Sequence, residues 1–309
     1  MMKLKNETHI EGLLYEHKLE KRVSGEQSKN PGTEYIRGKI RIATDDDCLN
    51  IVDVDFTYST ALTSKGNTNA TYTVLNNIVE GNLKTVMGDG KDVAATLRVD
   101  SSVGLNDFYS DRSGEVELVS AKINDGGFIH TTNALNEDEN QRNKFKADML
   151  IQNVSIREAN EERNLPEKAI IKGYVFNGFR KTCYPVEFSA TNPKAIDYFT
   201  GLDASTKSPV FMTVWGRQIA QTVVREIRQE SAFGDDEITE VQNTYKDWVI
   251  TGCSPEAHEW DDEDTMLAKD FEEMLAQRET YLAERRNNFD ESKKNKATAS
   301  TPKREGFNF

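Results

Sequence analysis

The stretch from Lys168 to Thr191 constrains the fold more than any other part of the chain, because it carries a strong hairpin signal. Two runs of strand-forming residues flank Asn177-Gly178, a dipeptide that suits a two-residue type I′ turn because both central residues of that turn need φ > 0. A turn of this length fixes the register of the two strands. It predicts these facing pairs: Phe176 with Phe179, Tyr174 with Lys181, and Lys172 with Cys183.

The two faces of this predicted hairpin differ in chemistry. One face is apolar and is predicted to join the core; it carries Ile171, Val175, Tyr184, Val186 and Phe188. The other face mixes flat rings with cations; it carries Lys172, Tyr174, Phe176, Phe179 and Lys181. Rings that stack bases beside cations that neutralise phosphates are what a surface for single-stranded nucleic acid needs. The alternative is that a helix, a partner domain or the C-terminal segment covers these rings, since aromatic residues on strands often belong to a core.

Length and composition predict a globular chain that remains in the cytoplasm. The 309 residues suit about two domains. No run approaches the ~18 apolar residues of a membrane span, and the N-terminal sequence MMKLKNETHI lacks the apolar core of a signal peptide. We therefore expect a cytoplasmic protein, in the cytoplasm of the host cell if the chain is viral.

The chain is acidic, but its charge is unevenly distributed. The net charge is −13, and the segment from Glu256 to Glu273 holds nine acidic residues and one lysine, Lys269. A local basic groove remains compatible with this balance, because the Debye length is only about 10 Å at 0.1 M salt. Three cysteines, Cys48, Cys183 and Cys253, lie too far apart in sequence to indicate a disulfide framework or a zinc site.

A second hairpin is predicted between Glu34 and Ser59. Its outer face carries Tyr35, Arg37, Lys39 and Arg41. A three-residue loop at Asp45–Asp47 would place Lys39 opposite Asp53 and Arg37 opposite Asp55, while Val52, Val54, Phe56 and Tyr58 would join the core. The stripe is a candidate phosphate-binding surface, and pairing of its cations with the facing aspartates is the alternative.

The same order of elements occurs in both halves of the chain. Ile36-Arg37-Gly38-Lys39-Ile40 matches Ile171-Lys172-Gly173-Tyr174-Val175. Short helices are predicted at Thr71–Glu80 and at Pro193–Phe199, the second capped by Asn192. Three strands, a helix and two strands are the order of an OB-fold, whose strand 2 and 3 face binds oligonucleotides or oligosaccharides. The sequence therefore predicts a mainly β chain with two tandem OB-like barrels.

The predicted domain organisation has five parts. Residues 1–132 form the first OB-like domain, 133–144 a linker, 145–254 the second OB-fold domain, 255–286 an acidic segment with an amphipathic helix, and 287–309 a disordered tail. In the second domain a long strand, Ser208–Val224, is predicted to carry Phe211, Thr213, Trp215 and Arg217 on its outer face.

The sequence gives little support to an enzyme. Gly90-Lys91 is followed by Asp92, where a phosphate-binding P-loop needs Ser or Thr. The four histidines, His9, His17, His130 and His258, are too scattered for a set of metal ligands. Alternation with valines explains Asp53 and Asp55 as the outer face of a strand. We expect no catalytic residue, no metal and no cofactor.

Three features carry a resemblance to a known family. They are the Trp215-Gly216-Arg217 step that closes a VFMTV strand, the IKGYV strand and the acidic segment near the C-terminus. In these the chain resembles OB-fold single-stranded DNA-binding proteins, particularly those of bacteriophages, over Asp148–Gly252 plus the tail. The resemblance implies coating of exposed single strands during replication and recombination, and partner proteins that contact the C-terminal region. Many such proteins end in a terminal Phe, as this chain does at Phe309, but here Lys303 and Arg304 precede the end.

The sequence therefore predicts a non-enzymatic single-stranded DNA-binding protein. Bases would stack on Tyr174, Phe176, Phe179 and Trp215, while phosphates would bind Lys172, Arg180, Lys181 and Arg217; Tyr35, Arg37, Lys39 and Arg41 would extend the surface. Replication or recombination proteins are candidate partners of the acidic C-terminal segment, no membrane contact is expected, and self-association is left open. The alternative is a structural or assembly protein, such as a virion or scaffold component, whose β-domains bind other protein subunits.

Overall fold

A computed structural model describes residues 4–26, 28–160, 166–229 and 237–299. In these residues, alternating apolar and polar side chains form twelve strands, which close into two barrels. Each barrel encloses its own apolar core, one around Ile10, Ile40 and Leu97 and the other around Phe145, Ile171 and Phe188. No helix among these residues has the length and apolar character needed to cross a membrane.

Among the described residues, the first barrel contains seven strand segments and two α-helices. The strands are β1 (Asn6–Val23), β2 (Glu34–Ala43), β3 (Ile51–Thr60), β4 (Thr96–Ser101), β5 (Val103–Ser110), β6 (Glu117–Asp125) and β7 (Phe128–Thr131); α1 (Ala70–Val79) and α2 (Val86–Asp89) connect β3 to β4. Antiparallel pairing of β1 with β4 and parallel pairing of β3 with β6 close the barrel.

The second barrel repeats this order with fewer segments. It contains β8 (Asn143–Arg157), β9 (Lys168–Asn177), β10 (Thr182–Ala190), α3 (Pro193–Thr200), β11 (Val210–Gln229) and β12 (Glu237–Cys253). Pairing of β8 with β11 and parallel pairing of β10 with β12 close it. Both barrels thus have the strand order and closure of an OB-fold, and the predicted mainly β fold class is confirmed.

The glycines of the two matching sequence segments lie where strands cross closely. A Cβ at Gly38 would lie 2.0 Å from the carbonyl oxygen of Lys18, and one at Gly173 would lie 2.1 Å from that of Leu150. Gly38 also has a φ of +128°, which disfavours any other residue. The repeated glycine therefore lets the second strand of each barrel pass over the first.

Two predicted helices are confirmed, and the C-terminal helix is longer than predicted. Asn69 caps α1 and Asn192 caps α3, each by accepting a hydrogen bond from a backbone N–H two residues later. The C-terminal helix α4 spans Ala268–Ala299 and so includes residues beyond 286 that were predicted to be disordered. The end of that predicted tail, residues 300–309, lies outside the described residues, as do parts of the predicted loops Ala159–Glu167 and Phe233–Glu240.

The predicted register of the first hairpin is wrong. Lys39 pairs with Asp55 and Arg41 pairs with Asp53, because the connection between β2 and β3 is longer than three residues. A bulge between Ile36 and Gly38 changes the facing beyond it. Tyr58 is therefore not in the core; it is 47% exposed.

The predicted register of the second hairpin is also wrong. Phe176 faces Cys183 and Tyr174 faces Pro185, because the turn contains four residues, Gly178 to Lys181, with Lys181 at a φ of +49°. The shift preserves the alternation of faces, so the predicted core face from Ile171 to Phe188 is buried as expected.

Candidate nucleic-acid interface

Trp215 forms a flat surface on the outside of the second barrel. It lies on β11, opposite Lys146 of β8 and Gly252 of β12. The indole packs directly against Gly252, where a Cβ would lie 2.5 Å from the indole nitrogen. The side chain is still 38% exposed and lines an open cavity of about 660 Å³. One side of the ring is therefore supported by backbone while the residue remains accessible to a base.

Three cations surround this cavity. Lys144 and Lys146 alternate on β8, and Arg217 follows Trp215 on β11. The Lys146 ammonium lies 5.8 Å from the centroid of the indole, while Arg217 donates to Asn140 Oδ1 at 2.5 Å and Lys144 donates to Gln141 Oε1. None of the three forms an ion pair with a carboxylate of the described residues, so their charges remain available to phosphates.

The predicted stripe on β2 lies in a groove between the two barrels. This groove, with a volume of about 770 Å³, is lined on one side by Arg37, Lys39 and Arg41 and on the other by Arg180, Lys246 and α4. Tyr35 lies further along β2, with its ring centroid 4.5 Å from that of Tyr58. The groove therefore combines cations from both barrels, and an aromatic pair follows on the same two strands.

Carboxylates pair with most of the cations in this groove. Asp53 lies 3.1 Å from Lys39, 3.4 Å from Arg41 and 2.8 Å from Lys246. Arg41 also pairs with Glu16 at 2.9 Å. Arg37 is exposed and has no ion pair among the described residues. The alternative reading of the stripe, cross-strand pairing of its cations, describes these contacts.

The pKa values of Asp53 and Asp55, the two central carboxyls of the groove, shift in opposite directions. Burial acts to raise the pKa of Asp53, but hydrogen bonding and charge from Lys246 and Lys39 outweigh it, and the pKa is lowered. Burial raises the pKa of Asp55. Lys39 acts to lower it, but the negative charges of Asp53 and Asp125 offset part of that effect, and the pKa is raised. Asp55 is therefore the carboxyl that takes up a proton more readily.

The structure corrects the predicted aromatic platform of the second hairpin. Phe176 is fully buried and Tyr174 is half-buried, because α4 and the segment before it pack over them. Phe271 of α4 meets Tyr174 edge-on, with ring centroids 5.1 Å apart, and Phe176 at 6.2 Å. Phe211, also predicted on an outer face, is buried in the same cluster, whose other buried members are Leu150, Cys183, Met266 and Met274.

The size of this cluster indicates a stable cover. Burying one side chain such as Phe271 or Met274 contributes about 1.5–3 kcal/mol, so lifting the helix costs several kcal/mol. Arg278 adds two hydrogen bonds to Asp107 of β5, at 3.0 and 3.1 Å, and both side chains are buried. The end of this face that carries Phe176 and Cys183 is therefore part of the interior, while Lys172 and Glu187 at the other end are exposed.

The remaining residues of the predicted hairpin site lie at its edges. Phe179 is 97% exposed at the turn, and the neighbouring Arg180 pairs with Asp125 of the first barrel at 2.8 Å. Lys181 is exposed, and Lys172 pairs with Glu187 at 2.8 Å. The structure thus separates the twelve predicted residues: some line the Trp215 cavity or the inter-barrel groove and two lie on the covered face. The remaining four, Tyr35, Lys172, Phe179 and Lys181, lie outside these three places.

The comparison with family models identifies the chain's relatives. The YorF model matches residues 5–288. The chain belongs to the YorF family. No curated protein matches this YorF-family chain.

The solved structures that resemble the YorF-family chain include two of a single-stranded DNA binding protein from Thermus aquaticus. One is the wild-type single-stranded DNA binding protein from Thermus aquaticus, with a TM-score of 0.45, 9% identity, and coverage of 84% of this chain and 96% of that chain. The other is a deletion mutant of the same Thermus protein, with a TM-score of 0.45, 11% identity, and coverage of 85% and 100%.

Sequence reasoning missed several residues of these surfaces. Lys144 and Lys146 alternate with Phe145 and Ala147, a pattern that could have placed both lysines on one outer face. The predicted boundary at 144 instead divided them between linker and domain. Gly252 and Lys246 gave no local signal, because their roles depend on strands that meet only in the folded chain.

Among the described residues, no group of three or more His, Cys, Asp or Glu is arranged to hold a metal ion.

Proposed function

We propose that this YorF-family chain binds single-stranded DNA without catalysing a reaction, with the Trp215 cavity as the principal contact. The observation that carries the proposal is a partly exposed indole supported by Gly252 and surrounded by Lys144, Lys146 and Arg217. A base stacked on an aromatic side chain contributes about 1–3 kcal/mol whatever its identity. Cations that have no carboxylate partner among the described residues can bind phosphates without first breaking such an ion pair.

The test is a titration of the full chain with oligo-dT, following tryptophan fluorescence at about 50 and about 200 mM salt. We expect quenching, with weaker binding at the higher salt concentration. Trp215→Phe should remove most of the quenching, whereas Trp260→Phe, which changes a ring packed under α4 near Phe271, should retain it. No binding at the lower salt concentration, or binding indifferent to salt, would contradict the proposal.

The cations allow a second measurement on the same cavity. Replacing Lys144 or Arg217 by Ala should lower the slope of log affinity against log salt by about 0.7 for each lost phosphate contact. Lys194→Ala, which changes an exposed lysine on α3, serves as the control with the same change of charge. Equal slopes for all of these variants would show that the cavity is not part of the DNA-binding surface.

The alternative function is a structural or assembly protein whose barrels bind other protein subunits. The net charge of −13 favours it, because a protein of this charge repels polyanions at long range. The two functions differ in the titration, since an assembly protein has no reason to bind oligo-dT with the salt dependence of released counterions.

We also propose that the DNA-bound chain acts in replication or recombination in the cytoplasm and recruits partners through its acidic segment. Exposed carboxylates at Glu256, Glu259 and Glu263 support a partner with a basic surface. Pull-down of purified replication or recombination proteins with the full chain, compared with a Glu256→Gln, Glu259→Gln, Glu263→Gln variant, tests this; equal capture by both forms would contradict it.

A further inference from the structure

The inter-barrel groove has exposed cations and an exposed aromatic ring nearby that are not part of the Trp215 cavity. Its wall carries Arg37, exposed and without an ion pair among the described residues, and Lys18 of β1. Phe179 lies on the turn that reaches it through Arg180, and this ring is 97% exposed. A phenylalanine that contacts almost nothing gains no burial from folding, so its apolar surface remains available to a ligand.

The floor of the groove is a short ladder of carboxylates. Asp53 and Asp55 lie two residues apart on β3, and Asp125 at the end of β6 is the register partner of Asp55. Asp53 holds Lys39 at 3.1 Å and Lys246 at 2.8 Å, and Asp125 holds Arg180 at 2.8 Å. Asp55 lies 3.9 Å from Lys39. One oxygen of Asp53 and one of Asp55 are buried with no hydrogen-bond partner, so the ladder is imperfectly satisfied. The carboxylates thus neutralise cations that could otherwise bind the phosphates of a nucleic acid.

We propose that the inter-barrel groove is a second contact for the same DNA single strand, in which Asp53 and Asp55 hold the cations until phosphates replace them. The inference rests on the proposed function, because it concerns the same ligand. A single strand fits the chemistry better than a duplex, because unpaired bases can stack on Phe179 and on the Tyr35–Tyr58 pair while phosphates reach Arg37 and Lys39. Binding here is self-competed, since every phosphate contact to Lys39 or Lys246 breaks an ion pair with Asp53.

The charged groups that face Asp55 set the direction of its pH response. They are Lys39 of β2, Asp53 of β3, Asp125 of β6 and Lys246 of β12; the rest of the groove adds Glu16, Lys18, Arg37, Arg41, Arg180, Tyr281 and Arg285. Asp55 has a raised pKa and Asp53 a lowered one. As the pH falls from neutral, Asp55 therefore loses its negative charge first while Asp53 keeps its pairs. Removal of that charge favours a polyanion, so the groove binds DNA more tightly as the pH falls toward the pKa of Asp55.

The experiment compares Asp55→Asn with the wild-type full chain on two lengths of oligo-dT. A short oligomer of about five nucleotides fits one barrel, and a long one of about twenty-five spans both, since one OB-fold covers about 4–16 nucleotides. At neutral pH we expect Asp55→Asn to bind the long oligomer roughly three to ten times more tightly and the short one unchanged. The wild-type chain should gain affinity for the long oligomer on acidification, and the variant should lose most of that gain.

Two controls keep the result interpretable. Asp203→Asn makes the same change of charge at an exposed turn residue with a φ of +44°, which Asn tolerates, and it should leave both affinities unchanged. Phe179→Ala removes an exposed ring without touching the core, and it should weaken only the long oligomer.

The possible outcomes separate the two proposals. If the short oligomer binds and quenches Trp215 while Asp55→Asn and Phe179→Ala bind the long oligomer as the wild type does, the groove is not a DNA contact and the proposed function stands. If neither oligomer binds the wild-type chain at low salt, both proposals are wrong.

Discussion

At the scale of single residues, the missing side chain at Gly252 is what allows Trp215 to lie against β12. A Cβ there would lie 2.5 Å from the indole nitrogen and 2.6 Å from Cε2, so Gly252→Ala must displace the ring. We expect this variant to lose about 1–3 kcal/mol of DNA affinity, the contribution of a stacked base, while it remains folded. Oligo-dT titration and thermal unfolding measure the two effects.

The matched control for Gly252→Ala is Gly178→Ala. Among the described residues, no atom outside the two chain neighbours of Gly178 lies within 4 Å of the Cβ that this substitution adds, so DNA affinity should not change. If oligo-dT quenches the tryptophan fluorescence of Gly252→Ala as fully as that of the wild type, the ring does not need the support of the β12 backbone.

The face on which a side chain lies is predictable from the sequence where regular alternation along a strand decides it. Trp215 and Arg217 were correctly placed on an outer surface, because a strand turns successive side chains to opposite faces. The position of Tyr58 was not predictable, because one bulge near Arg37 shifts the facing of everything beyond it. Gly252 could not be recognised either, since a close approach between two strands leaves no local pattern.

At the scale of elements, the β9–β10 hairpin offers two phenylalanines in opposite environments. Phe176 is fully buried against Phe211 and Phe271, while Phe179 is almost fully exposed at the turn. We expect Phe176→Ala to lower the free energy of unfolding by about 3–5 kcal/mol and Phe179→Ala to change it by less than about 0.5 kcal/mol. Urea unfolding at neutral pH compares the two variants.

DNA binding by these two variants gives the second half of this prediction. Folded Phe176→Ala should bind short oligo-dT like the wild type, because the buried ring contacts no ligand. A stable Phe176→Ala variant with weakened DNA binding would mean that the helix does leave this face.

The hairpin also shows how a correct pattern can support an incorrect register. Asn177-Gly178 indicated a turn at the right place, but the real turn has four residues, with Lys181 in the left-handed region. Turn length is set by local hydrogen bonds such as Arg180 N–H to Asn177 Oδ1 at 2.9 Å, which composition does not reveal. The core face was nevertheless correct, because the error moved the register by an even number of residues.

At the scale of the whole molecule, α4 decides which barrel face is open. Its amphipathic pattern was visible in the sequence, but the surface it covers was not. Phe271 and Met274 pack on the second barrel, while Arg278 reaches Asp107 of the first, 171 residues earlier in the chain. Periodicity shows that a helix has an apolar face, and it does not show which surface that face will cover. The tandem barrels were predictable from the repeated order of elements, and the choice between their faces was not.

The two barrels are joined by buried amides, and this joint should affect both stability and the inter-barrel groove. Gln218 of β11 and Asn124 of β6 exchange hydrogen bonds of 2.9 and 2.8 Å, and Asn124 also donates to the carbonyl of Asp53 at 2.8 Å. Removing one amide leaves its buried partner unsatisfied, which costs about 1–3 kcal/mol. We therefore expect Gln218→Ala and Asn124→Ala each to destabilise the chain by about this amount.

A double-mutant cycle tests whether this contact couples the barrels. The double variant should be more stable than the sum of the single changes indicates, with a coupling energy of about 0.5–3 kcal/mol, and Gln277→Ala on the exposed surface of α4 provides the amide control. Because the joint fixes how the two walls of the inter-barrel groove face each other, both single variants should lose affinity for long oligo-dT and keep it for the short oligomer. Additive free energies together with unchanged affinity for the long oligomer would mean that other contacts, such as Arg278 with Asp107, set the relative position of the barrels.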